Sequence, residues 1–154
     1  MPELPEVETV KESLKLRLNN KKIIRTRVLW DNIIAYPSKE KFIKETANQS
    51  INDVKRRGKF LLFDLDDYYL LSHLRMEGKY FFKTKDDDIN KHEHVIFDLD
   101  DGSELRYMDT RKFGKMYLIK KEDIDKIGPL VELGLEPWDD NLTSEYLLDK
   151  YKKK

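Results

Sequence analysis

The sequence has 154 residues, 39% hydrophobic and 39% charged, a length that fits one domain with its own core. Thirty Lys+Arg balance thirty Asp+Glu for a net charge of +0, so bulk charge announces no polyanionic partner, and the absence of cysteine excludes both a disulfide framework and a Cys-type zinc site in this chain. No apolar run approaches the ~20 residues of a membrane span, and the acidic, proline-bearing start in place of a basic-then-apolar leader predicts a cytoplasmic protein with no membrane contact.

The chain opens on a helix. Pro5 suits a first helical turn, where a missing N–H costs nothing, and Glu6 and Glu8 suit the positive end of the helix dipole. Val7, Val10, Leu14 and Leu18 recur at helical spacing on one face, and Lys11, Lys15, Arg17 and Lys21 load the later turns. Strands follow: a β-branched run from Lys22 to Trp30, then a short amphipathic helix around Lys39 to Ala47, then Ile51 to Arg57. Lys59 to Leu65 and Tyr68 to Leu74 flank the turn signal Asp66-Asp67. Lys79 to Thr84 is a further strand, and the charged run from Lys85 to Lys91 reads as a mobile loop. His94 to Leu99 and Glu104 to Met108 flank Asp100-Asp101-Gly102, the plainest hairpin of the sequence, and Lys115 to Lys120 is the eighth strand.

Repeated hairpins at short spacing, with helices at the edges, predict an α+β but mainly β fold. The expected architecture is a roughly eight-stranded antiparallel β-sandwich or flattened barrel. Residues 1–132 are assigned to this domain. Residues 133–154 are assigned to a connector, Leu133 to Trp138, and to a helix from Thr143 that carries Leu147 and Leu148 and stops without a cap, as if severed.

Position 2 raises the first chemical question. Proline there permits removal of Met1, which leaves a secondary amine at the chain end. Such an amine attacks an aldehyde or C1′ of a sugar and forms an iminium without a lysine. An α-amino group ordinarily titrates at about 7.7–8.0, and an adjacent helix N-terminus keeps more of it neutral. Glu3 beside it can move protons to and from the sugar ring oxygen. While Met1 stays attached, the nitrogen of Pro2 is an amide and cannot react.

Met1-Pro2-Glu3-Leu4-Pro5-Glu6-Val7-Glu8-Thr9 is similar, residue for residue, to the opening of the formamidopyrimidine-DNA glycosylases. Three further stretches resemble that family in order and spacing: Arg56 to Leu62 (RRGKFLL), His73 to Gly78 (HLRMEG) and Tyr107 to Gly114 (YMDTRKFG). The resemblance implies base-excision repair by a bifunctional glycosylase and AP lyase that removes oxidised purines of the formamidopyrimidine and 8-oxoguanine type. In that family the proline amine displaces the damaged base, and β- then δ-elimination follow from a Schiff base.

Carried over position by position, the resemblance makes Pro2 the nucleophile, Glu3 the acid/base and Lys59 a catalytic-site lysine on DNA phosphate. Glu6 becomes an organising glutamate, and Arg57 a further DNA contact. The enzyme must flip a nucleotide out of the duplex, and Met76, Arg111 and Phe113 match the residues that fill the gap. A thioether and a ring replace lost stacking, and a guanidinium can hydrogen-bond the orphaned base. His73 and His92 match phosphate-contacting histidines. His92-Glu93-His94 is a poor metal chelate, because alternation along a strand turns neighbouring side chains to opposite faces, and no metal is assigned to it.

Two positions depart from the family pattern: Arg75 stands where glycine is usual, and Glu77 where a small hydroxyl residue is common. The family's helix-two-turn-helix module and Cys-type zinc finger have no counterpart, so no cofactor is expected within this chain. The expected partner is damaged double-stranded DNA, the expected state a monomer, and the expected place the bacterial nucleoid. Two other classes stay open at this stage. One is a damaged-DNA binding domain without turnover; the other is an N-terminal-proline tautomerase, whose short βαβ chains the hairpin-rich pattern contradicts.

Overall fold

The computed structural model describes residues 4–74 and 78–133. Pro2, Glu3, Arg75, Met76, Glu77 and residues 134–154 lie outside them, as does the side chain of Glu6; the expected connector and helix from Thr143 fall there too. Among the described residues three α-helices, α1 (Leu4–Leu18), α2 (Lys39–Thr46) and α3 (Pro129–Leu133), accompany nine strands. These are β1 (Ile23–Val28), β2 (Ile34–Tyr36), β3 (Asp53–Arg57), β4 (Phe60–Asp64), β5 (Tyr68–His73), β6 (Lys79–Thr84), β7 (Glu93–Leu99), β8 (Ser103–Met108) and β9 (Lys115–Lys120). None of the described helices is long and apolar enough to cross a membrane.

The strands form two sheets, ordered β1-β7-β8-β6 and β2-β9-β5-β4-β3. The ninth strand is β2, three residues long and paired in parallel with β9. It is too short to show any periodicity in sequence, which is why eight strands were expected and why the sheet is not purely antiparallel. Both expected turns close antiparallel pairs, β4 with β5 and β7 with β8.

The core lies between the sheets. Val54, Leu61, Phe63 and Leu70 of one face Val95, Phe97, Leu105 and Tyr107 of the other, with Leu14 and Leu18 of α1 completing the cluster. Phe60, Leu62, Leu71 and Ile119 point to the opposite face of the five-stranded sheet, where Ile124 and Leu130 cover them. The uninterrupted apolar run Phe60–Phe63 is therefore a strand covered on both faces, the arrangement that removes the usual in–out alternation. Ser38 caps α2, its hydroxyl accepting from the Lys41 N–H at 3.2 Å.

Strands β6 and β7 both pair antiparallel to β8, so they run parallel to each other and need a crossover over β8. The connection 85–92 makes it, and it is pinned rather than loose. Arg106 on β8 is buried, and each of its five N–H groups meets an acceptor: carboxylates of Glu93 and Glu104, and the carbonyls of Thr84, Asp87 and Asp88, all at 2.9–3.0 Å. This corrects the expectation of a mobile loop. Its charged side chains are exposed, but its backbone is tied to the sheet.

Candidate nucleic-acid interface

Four chain segments converge at one end of the sandwich. In the five-stranded sheet Arg57 pairs with Phe60, Phe60 with His73 and His73 with Lys115, so the turn at Gly58-Lys59, the end of β5 and the start of β9 lie side by side. In the other sheet Met108 pairs with both Lys79 and Glu93, which brings the exit of β8 to the starts of β6 and β7. The connections 74–78 and 109–114 thus both cross from one sheet to the other at this end. Helix α1 runs away from it: Thr9 and Val10 line a cavity of about 410 Å³ with Leu74 and Gly78, whereas Lys15 pairs with Asp53 at 3.2 Å at the far end of β3. The positive pole of the helix dipole therefore points toward the converging segments.

Lys59 is exposed at the tip of its turn, where Gly58 adopts φ 61° and its carbonyl accepts from Arg56 at 3.2 Å. Arg57 is different. Its side chain is 0% exposed and donates to the Arg56 carbonyl at 2.8 Å. Its cross-strand partner is Phe60, so this guanidinium is covered on the outer face of the five-stranded sheet, away from the core between the sheets. His73 is largely buried too, its ring packed edge-on against Phe60 with centroids 4.7 Å apart. His92 is half-buried just before β7. Its N–H donates to Asn90 Oδ1 at 2.8 Å and its carbonyl accepts from Asp109 N–H at 2.9 Å. A register shift between Glu93 and Val95 breaks the alternation assumed for this stretch, and His94 is buried, bonded through Nε2 to the Asp109 carbonyl at 2.8 Å.

Arg111 and Phe113 project from the 109–114 turn; Phe113 is 53% exposed, a large ring left in water. The turn is built around Asp109. This buried carboxylate accepts from the N–H groups of Arg111 (3.2 Å), Lys112 (3.1 Å) and Gly114 (2.7 Å) and from the Tyr107 hydroxyl (3.0 Å). Lys112 sits at φ 62°, and its ammonium lies 5.1 Å from the centre of the Trp30 ring, a cation–π distance. Lys115 reaches the same ring at 5.8 Å and donates to the Asn32 carbonyl at 2.8 Å. Burial first, then the neighbouring Tyr80 and Asp109, push the Tyr107 phenol well above its ordinary 10.0, so it remains a neutral donor.

Every charged side chain in segments 58–59 and 110–115 is basic: Lys59, Arg111, Lys112 and Lys115. The turns at the opposite end are acidic, with Asp66, Asp67, Asp100 and Asp101. Zero net charge therefore conceals a sorted surface, with one end suited to a polyanion. The residues that sequence reasoning missed are Asp109, Tyr107, Trp30 and Lys112. The first two stand inside a motif that had been noticed, but only their burial reveals their work. The zinc site that the resemblance implies has no cysteine donors in this chain, and no described cluster of three or more His, Asp or Glu takes its place.

Residues 1–116 match the sequence model of the formamidopyrimidine-DNA glycosylase N-terminal domain. The chain belongs to this family. It is 48% identical over 154 residues to the formamidopyrimidine-DNA glycosylase of Cytobacillus firmus, covering 99% of this chain and 56% of that relative. It is 50% identical over 155 residues to that of Bacillus licheniformis, again 99% and 56%. Among solved structures it resembles the Lactococcus lactis glycosylase in complex with a FAPY-dG containing DNA, with TM-score 0.75 and 40% identity over 79% of this chain and 46% of that one. The same glycosylase with abasic-site DNA gives TM-score 0.76 over 80% of this chain and 46% of that one. The chain thus spans about half the length of the family members it matches.

Proposed function

We propose that this chain is the catalytic portion of a base-excision repair enzyme, a bifunctional DNA glycosylase and AP lyase acting on oxidised purines in double-stranded DNA. The observation that carries the reading is the opening Met1–Thr9, which lies within a family match that starts at residue 1 and leaves Pro2 as the chain end once Met1 is removed. The convergence of Lys59, His92, Arg111 and Phe113 at one basic end supports it, as do family members solved with lesion-bearing DNA.

In this reading the Pro2 nitrogen attacks C1′, the glycosidic bond breaks and the base departs with its electron pair. Glu3 supplies and removes the proton that lets the sugar ring open to an iminium. Loss of the 3′-phosphate and then the 5′-phosphate by elimination leaves a one-nucleoside gap. Lys59 holds a phosphate near the lesion, and Arg111 and Phe113 occupy the space left by the flipped nucleotide.

Borohydride reduction tests the chemistry, because it fixes only an iminium. Met1-processed protein is expected to become covalently linked to abasic-site DNA, Pro2→Gly to trap weakly, and protein retaining Met1 not at all. Glu3→Gln is expected to suppress excision of a damaged base far more than trapping at a preformed abasic site. Equal trapping by the Met1-retained protein would move the chemistry to a lysine and overturn the assignment.

A further inference from the structure

The two connections that cross between the sheets at the basic end meet at a single atom. The Tyr107 hydroxyl sits so close to Gly114 that a Cβ there would overlap it, and a Cβ on Gly78 would overlap the same hydroxyl together with the Leu74 carbonyl. Gly78 closes its own connection by donating to that carbonyl at 2.9 Å, and Gly114 closes the other by donating to Asp109 Oδ2 at 2.7 Å. Neither glycine has a positive φ, so backbone freedom is not why glycine stands at either position. Both are bare because the phenol occupies the space a side chain would need.

We infer that Tyr107 is a positioning residue: its hydroxyl, donated to Asp109 and wedged between Gly78 and Gly114, locks the turn bearing Arg111 and Phe113 in register with the end of the β5–β6 connection. This rests on reading that turn as a DNA contact. The tyrosine is well placed for it, being fully buried in β8 with its ring 5.1 Å from that of Tyr80, whose own hydroxyl donates to Ser72 of β5 at 2.6 Å. The hub is therefore anchored in both sheets and cannot yield on one side alone. Its donor also matters electrostatically. Asp109 is a buried carboxylate with four donors, and removing one leaves an acceptor that is costly to leave unmet.

Tyr107→Phe keeps the ring and deletes only the hydroxyl, while Gly78→Ala pushes on the hub from the other connection. Amide hydrogen exchange in the full chain reads both without any DNA. Tyr107→Phe is expected to speed exchange at Gly78, Lys112 and Gly114 roughly tenfold, the size of one lost hydrogen bond to a charged group, with the amides of β4 and β5 unchanged. Gly78→Ala is expected to speed exchange at Lys112 and Gly114, across the gap. No change, or a change confined to one connection, overturns the coupling.

The second arm compares affinity for abasic-analogue and undamaged duplexes, with Arg111→Ala as reference. Tyr107→Phe is expected to lower the ratio of the two about tenfold and leave undamaged-duplex affinity alone. If Arg111→Ala lowers the ratio and Tyr107→Phe does not, positioning is overturned. If neither changes it while exchange behaves as expected, the hub stands and the DNA reading of the turn is what fails.

Discussion

Phe113 and Phe63 carry the same ring in opposite settings. Phe63 is 1% exposed in the core between the sheets, whereas Phe113 is 53% exposed on a turn. Truncating a buried phenylalanine to alanine costs about 3–5 kcal/mol through lost transfer energy and the cavity left behind. Truncating an exposed one removes little that water had not already reached, so Phe113→Ala is expected to shift stability by less than about 0.5 kcal/mol. Chemical denaturation of the two variants checks this, and a Phe113→Ala loss comparable to that of Phe63→Ala would make its ring a packing residue. Sequence alone names Lys59, Arg111 and Phe113, because their residue types and motif positions match a surface task. It does not separate Arg56 and Arg57, whose side chains are both buried, from Lys59, which is exposed at the tip of the same turn. Nor does it single out Asp109, whose carboxylate gathers N–H groups of its own turn, or Tyr107, whose hydroxyl meets that carboxylate where the two crossings come together.

At the scale of elements, the strand and helix pattern is legible wherever a period repeats. Strands β6 and β9 coincide with the expected ranges, and α1 and α2 differ from theirs by a few residues at the ends. What escapes is the tie between elements. The run Lys85–Lys91 is dense in charge and carries no apolar anchor, so it reads as mobile; the anchor is Arg106, fifteen residues past its end. Burial alone would raise the Glu93 carboxyl, but the Lys83 ammonium at 2.6 Å, the Asn90 N–H and Arg106 outweigh it and hold the group below its ordinary 4.5. Glu93 therefore stays ionised and keeps its grip on the crossover. Arg106→Ala would remove the cation that Glu93 and Glu104 share, leaving Glu93 with Lys83 alone and Glu104 with Arg27 alone. Breaking one side of such a buried network is expected to cost about 3–5 kcal/mol. Limited proteolysis should then cut within 85–91 far sooner than in the wild type. A variant with unchanged stability and unchanged cutting would show that the crossover holds without its guanidinium.

For the molecule as a whole, the balance of charge matters less than its placement. Thirty cations and thirty anions cancel, yet Lys59, Arg111, Lys112 and Lys115 share one end and the Asp-rich turns share the other. The N-terminal pole of α1 adds its partial positive charge to the basic end. A duplex approaching that end meets local attraction, whereas the carboxylates at the other end, paired in part with lysines such as Lys21 with Asp101, offer it none. The same arrangement leaves no long-range pull, because at about 0.15 M salt charges more than about 8 Å apart are largely screened. Binding to duplex DNA should therefore be strongly salt-dependent and governed by few contacts. Each phosphate contact contributes about 0.9 to the slope of log affinity against log salt, so Lys59→Gln and Lys112→Gln should each reduce the slope by about that amount if they meet phosphate. Asp66→Asn and Asp67→Asn add positive charge to the molecule in equal measure but at the wrong end, and should leave the slope unaltered. Titration of the four variants at several salt concentrations separates placement from net charge. A slope that follows net charge alone, whichever end is altered, would mean that the basic end is not where the duplex sits.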